Sequence, residues 1–187
     1  PFADETFMKK VVSKIIEPTI KGLQENNLAY KGFVFIGVIK CKDEPFVIEY
    51  NCRMGDPETE VVLPRIKNDL VQILAATAKG NIGDITIDTD DRFAATIVAV
   101  SGGYPNAYEK GFRITGLQQQ PEDNIHVFHS ATKQQGDDIV TNGGRVFCVS
   151  ALADTLQVAT ETCIEVVESI NFEDKYYRRD IGYEFQT

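Results

Sequence analysis

With 187 residues, 43% of them apolar and a quarter charged, the chain has the length for one sizeable core or two small ones and the composition of an ordinary soluble globular protein. A net charge of −9 argues against a nucleic-acid or anionic-membrane surface, because phosphate backbones are held by clustered Lys and Arg. No apolar run approaches the roughly twenty residues that span a bilayer and no signal-peptide pattern opens the chain, so no membrane association and a cytoplasmic location are expected.

Pro1 is not an initiator Met, which suggests a chain that is processed or cut from something longer. Asp4 to Thr6 offers cap candidates for a helix carrying Phe7, Val11 and Ile15 at helical spacing, and Pro18 is expected to end or kink it. Thr19 to Asn26 reads as a second helical piece, and Lys9, Lys10 and Lys14 as a solvated face. The run Tyr30 to Lys40 is aromatic, β-branched and almost continuously apolar, as expected of a strand covered on both faces. Cys41 to Pro45 then turns the chain into an antiparallel partner strand.

That partner carries the most informative stretch, Phe46 to Pro64 (FVIEYNCRMGDPETEVVLP). Strict alternation puts Phe46, Ile48, Tyr50 and Cys52 on one face and Val47, Glu49, Asn51 and Arg53 on the other. Glu49 and Asn51 supply hard oxygen donors of the kind Mg²⁺ takes when it shares its shell with phosphate and water. Arg53 supplies a planar fork for phosphate or carboxylate. The plain alternative is an exposed strand face with an ordinary ion pair. Gly55 permits a turn, and Asp56 followed by Pro57 suits a helix N-cap and first position, so Asp56, Glu58 and Glu60 read both as capping acids and as groups converging on a ligand.

Asn68 to Lys79, stopped by Gly80, reads as a packing helix. Gly80 to Asp91 is poor in large apolar residues, rich in aspartate and without calcium-loop spacing, and is expected to be a solvated connection and domain boundary. Beyond it come short strands at Phe93–Val100, Phe112–Thr115, Ile125–Ser130, Ile139–Val140 and Arg145–Ser150. Turns are expected at Gly102–Asn106, Gln118–Asn124 and Asn142–Gly144, the last as a hairpin. Asp154 or Thr155 caps a helix whose Leu156, Ala159, Cys163, Val166, Val167 and Ile170 form a stripe suited to covering a sheet. His126 and His129, three apart in a strand, point to opposite faces and read as structural. Arg145, Arg178 and Arg179 read as ion-pairing groups, with nucleotide contact as the alternative. The four cysteines, Cys41, Cys52, Cys148 and Cys163, lack C-x-x-C spacing and read as reduced buried thiols.

The run from Glu49 to Glu60, closed by Leu63-Pro64, resembles the signature of the glycinamide ribonucleotide synthetase (phosphoribosylamine-glycine ligase) family of ATP-grasp enzymes. Gly102-Gly103-Tyr104-Pro105, His126 to His129, Gly143 to Val146 and Tyr176 to Gly182 resemble the C-terminal region of the same family in the same order. The resemblance implies an α+β fold: the C-terminal part of an ATP-grasp lobe, antiparallel strands plus helices, over 1–89, then a small β-rich domain closed by one helix over 90–187. It also implies a C-terminal piece that lacks the family's N-terminal and ATP-binding regions and is inactive alone. Some ATP-grasp enzymes place a further acid on the strand before the motif strand; here that strand has Gly37 and apolar residues, which leaves Glu49 and Asn51 as the metal ligands.

The chemistry the resemblance implies is ATP-dependent joining of glycine to 5-phosphoribosylamine through glycyl phosphate, with ATP and Mg²⁺ (or Mn²⁺) as cofactors. In that scheme Glu49 and Asn51 hold the metal, Arg53 holds the γ-phosphate or acyl phosphate, and Asp56 and Glu58 orient the amines. Another ATP-grasp carboxylate-amine ligase, or a noncatalytic binding module on the same fold, are the alternatives.

Overall fold

The computed structural model describes residues 3–117 and 123–185. In chain order it contains α1 (Glu5–Val11), a π-helical turn (Val12–Ile16), α2 (Glu17–Glu25), β1 (Phe35–Cys41), β2 (Glu44–Asn51), the short α3 (Thr59–Val62) and α4 (Leu70–Lys79). These are followed by β3 (Phe93–Ser101), β4 (Ile125–His129), β5 (Thr132–Gln135), β6 (Asp138–Thr141), β7 (Arg145–Ala153), α5 (Leu156–Ser169) and β8 (Lys175–Tyr176). They form two compact units, Pro1–Asp56 with Ile66–Asp88, and Pro57–Arg65 with Thr89–Thr187. No helix among the described residues is long and apolar enough to cross a membrane.

In the first unit, Asp4 accepts the Phe7 N–H at 2.8 Å and starts α1. Phe7, Val11 and Ile15, each four residues apart, are buried on one helix face. Helical winding does not end at Pro18. A wider turn, with Glu17 N–H donating to the Val12 carbonyl, sits just ahead of it, where a proline lacking its N–H would disturb an ordinary α-turn. Lys9 pairs with Glu5 on the surface at 2.7 Å. Lys10 and Lys14 are not merely solvated: both hold Glu44, Lys10 at 2.9 Å, and they pull its carboxyl down to about 2.

Strands β1 and β2 pair antiparallel, but β1 begins only at Phe35 and is not covered on both faces. Ile39, Phe46 and Ile48 are 48%, 55% and 66% exposed, because a two-stranded sheet with helices against one side leaves the other side bare. Farther on, α4 is capped by Asp69, which accepts the Gln72 N–H at 3.1 Å. It ends where Gly80 takes the left-handed conformation (φ 84°) that an L-residue resists. Asn68 instead accepts the Asp88 N–H at 2.6 Å and donates to the Thr86 carbonyl at 3.0 Å. Part of the expected solvated connection is thus tied down.

The second unit holds the larger core. Its sheet has the order β4-β7-β3-β8, all antiparallel. Strand β3 alternates buried Ala95, Ile97, Ala99 and Ser101 with more exposed neighbours, while Val146 to Leu152 on β7 are buried throughout. Thr155, rather than Asp154, caps α5 by accepting the Val158 N–H at 3.2 Å. Ala159, Cys163, Val167 and Ile170 then close over the sheet with Leu156 and Val166 beside them.

Three expectations for this unit change. Phe112–Thr115 is held by two isolated bridges, Arg113 to Val140 on β6 and Thr115 to Asn171 after α5, rather than as a strand. Gly143-Gly144 is not a hairpin turn, since β6 pairs with β5 and β7 with β3 and β4; it is a corner between sheets, with Ser101 donating to both glycine carbonyls. Strand β5 carries no apolar alternation and was not expected. Of the turn expected over Gln118–Asn124, residues 118–122 lie outside the described residues.

Candidate metal and phosphate site

The register of the hairpin fixes which β2 side chains share a face. Gly37 pairs with Glu49 but Val38 pairs with Val47, so Ile48 is an extra residue, a β-bulge. Paired residues share a face and neighbours on β1 alternate. Glu49 therefore goes with Gly37, Ile39, Phe46 and Asn51, while Val47 goes with Val38, Lys40 and Tyr50. Helix contacts identify the second group as the inner one: Lys40 Nζ lies 5.3 Å from the Phe7 ring centre, and the Tyr50 hydroxyl is 3.0 Å from Thr19 Oγ1. The sequence expectation of one greasy and one polar face is corrected accordingly. Val47 leaves the polar group, and Phe46 joins it.

On the outward face Glu49 and Asn51 converge. Asn51 Nδ2 donates to Glu49 Oε1 at 3.0 Å, which engages one polar atom of each group and leaves Glu49 Oε2 and Asn51 Oδ1 for other partners. Among the described residues no group of three or more His, Cys, Asp or Glu could hold a metal by itself. The donor set here, one carboxylate and one amide oxygen, fits a hard cation that takes most of its ligands from phosphate and water, as Mg²⁺ does. It does not fit zinc or another metal needing an all-protein cage.

Arg53 is placed differently from the alternation reading. Strand β2 ends at Asn51, and Arg53, beyond the strand, donates from Nη1 to the Met54 carbonyl at 2.8 Å. Its exposed guanidinium keeps donors for an anion. Asp56 is exposed and is the last residue of this stretch of the first unit, whereas Glu58 belongs to the second unit, where it occupies the N-cap position of α3 without a side-chain capping bond. Helix α3 starts two residues later than an Asp56 cap implies. Glu60, read as a capping acid, has Oε2 buried with no hydrogen-bond partner among the described residues. No sequence feature marks that oxygen as different from its neighbours.

The remaining candidates are engaged structurally. His126 stacks on Phe128 at 5.9 Å, and His129 Nδ1 meets Thr132 Oγ1 at 2.8 Å. Arg178 donates two hydrogen bonds to the Asp180 carboxylate, at 2.9 and 3.0 Å, and Arg179 holds Glu168 at 2.6 Å. None of the four cysteines is in a disulfide, but only Cys148 and Cys163 are buried; Cys41 and Cys52 are exposed. Burial pushes the Cys163 thiol up to about 12, which makes it inert as a nucleophile near neutral pH.

Two family models match the chain: the phosphoribosylglycinamide synthetase ATP-grasp (A) domain over residues 1–59 and the phosphoribosylglycinamide synthetase C domain over residues 94–184. A phosphoribosylamine–glycine ligase of Chlorobaculum tepidum is 41% identical over 183 residues, 97% of this chain and 43% of that protein. The bifunctional purine biosynthetic protein PUR2,5 of Pichia angusta is 38% identical over 98% of this chain and 23% of its own length. Among solved structures, the phosphoribosylamine–glycine ligase of Thermotoga maritima superposes with a TM-score of 0.81 at 31% identity, covering 95% of this chain and 43% of that one. The biotin carboxylase domain of a thermophilic 2-oxoglutarate carboxylase shares the fold, with a TM-score of 0.60 at 16% identity over 87% of this chain. The chain thus spans under half the length of the curated ligases it matches.

Proposed function

Because the chain belongs to the phosphoribosylglycinamide synthetase family, we propose that it supplies the metal-phosphate end of a ligase that joins glycine to 5-phosphoribosylamine with consumption of ATP. The products are glycinamide ribonucleotide, ADP and phosphate, and the setting is purine biosynthesis in the cytoplasm. Residues 1–89 are assigned to the ATP-grasp domain and 90–187 to the C-terminal domain. The groups that hold adenine and the rest of ATP are assigned to the part of the relatives that this chain does not match.

The observation that carries the reading is the 3.0 Å convergence of Glu49 and Asn51 on the outward face of β2. Those two residues are assigned to Mg²⁺ (or Mn²⁺), which when bound neutralises phosphate oxygens and lowers the repulsion between two anionic reactants. Arg53 is assigned to the transferred phosphoryl group, for which its exposed fork has the right planar geometry. Asp56 and Glu58 are assigned to the amines, which need an acceptor to orient the N–H groups before attack on an acyl phosphate. None of these residues is asked to act as the nucleophile.

The test is the Glu49→Gln variant of the intact protein, assayed for ADP release with glycine, 5-phosphoribosylamine, ATP and Mg²⁺. Loss of one metal ligand should lower turnover at limiting Mg²⁺ by at least about tenfold, with partial recovery at high Mg²⁺. Unchanged turnover at limiting Mg²⁺ removes Glu49 from the metal. ADP release that ignores glycine but responds to another acid would move the protein to a different ATP-grasp ligase.

A further inference from the structure

A glycine in the interior of a strand is locally unfavourable, since it has no side chain to pack and gives up the most backbone freedom on folding. Gly37 sits inside β1. It does not have a positive φ, so backbone conformation does not call for glycine there.

Space does. Gly37 is the cross-strand partner of Glu49. A Cβ built on Gly37 would lie 3.1 Å from Glu49 Cγ and 3.7 Å from the Glu49 backbone nitrogen and oxygen. The first distance is shorter than an ordinary carbon-carbon contact, so any larger residue must displace the Glu49 stem. The bulge at Ile48 falls at this same pair and raises the local twist that aims the strand's side chains.

We propose that Gly37 is a positioning residue: its bare Cα is the floor on which the Glu49 side chain lies, and this sets the carboxylate where it meets Asn51. The proposal rests on the reading of Glu49 and Asn51 as the metal-phosphate pair. It concerns how that pair is held and adds no ligand.

The experiment uses the intact protein and a readout other than turnover: titration of Mn²⁺ with a non-hydrolysable ATP analogue, following free Mn²⁺ by electron paramagnetic resonance, alongside thermal melts. Gly37→Ala should weaken Mn²⁺ binding by about tenfold or more, the effect typical of disturbing a group that orients a metal ligand, while the melting temperature stays the same or rises. Glu49→Gln serves as the reference, and adding Gly37→Ala to it should produce no further loss, because the residue to be positioned no longer offers a carboxylate. If Glu49→Gln weakens Mn²⁺ binding but Gly37→Ala does not, the positioning role is wrong and the site reading stands. If Glu49→Gln has no effect, the site reading falls and takes the proposal with it. A Gly37→Ala protein that melts well below the parent would make the glycine structural, which also overturns the proposal.

Discussion

At the scale of single residues, two groups away from the motif make specific contributions to stability. Lys175 directs its ammonium at the Val167 and Ile170 carbonyls, 2.6 and 2.5 Å away, and at Asn171 Oδ1 at 3.3 Å. It thereby satisfies the C-terminal end of α5 with a positive charge, where free carbonyls and the helix dipole favour one. Lys175→Met keeps the stem and removes the donors, and should cost about 1–3 kcal/mol in urea unfolding. Gly103 is a second such position. Its φ is +93°, and a Cβ there would fall 2.2 Å from the Ala107 carbonyl oxygen, so Gly103→Ala should destabilise by roughly 1–3 kcal/mol in the same measurement. The glycine pair was visible in the sequence and read only as a turn. The backbone of Ala107 that makes glycine necessary belongs to the folded loop, and no residue type announces it. Glu49 and Asn51 were legible because two hard donors at a spacing of two must share a face of any regular strand.

At the scale of elements, the α1–hairpin connection makes a pH-dependent prediction. The Lys14 and Lys10 ammonium groups beside Glu44 lower its carboxyl from the ordinary 4.5 to about 2. A depressed carboxyl contributes stability that is present above the unfolded value and lost as pH falls through the folded one. The urea midpoint, followed by circular dichroism, should therefore decline between pH 4.5 and 2, and Glu44→Gln should flatten that decline. Legibility follows the same elements. Strands β3 and β7 and helix α5 were readable because each has a core to face and a period to match it. The β2 bulge was not, since Val47 and Ile48 are both apolar and either could be the extra residue. Strand β5, Thr-Lys-Gln-Gln, forms by pairing with β6 alone, and pairing of polar residues leaves no hydrophobic trace.

At the scale of the whole molecule, the two units differ in what holds them. The second has a continuous buried cluster running from Ala95 on β3 through Val149 on β7 to Ile170 after α5. Among its described residues the first buries the helix stripe of Phe7, Val11 and Ile15, Pro45 at the start of β2, and Ile73 and Ala76 of α4, and leaves one face of its hairpin open. Regions with few buried apolar contacts open at lower free energy. Hydrogen exchange read by mass spectrometry should then show β3, β7 and α5 exchanging last and β1 and β2 well before them. Equal protection across both would contradict the assignment of the main core.

The extra residue on β2 also makes an unusual edit possible. Losing one residue from a strand ordinarily inverts everything downstream, but removing Ile48 would pair Val47 and Glu49 with successive β1 residues and keep each on its present side. Such a one-codon deletion would flatten the ribbon without changing which groups look outward, and so would separate the influence of curvature from that of chemistry.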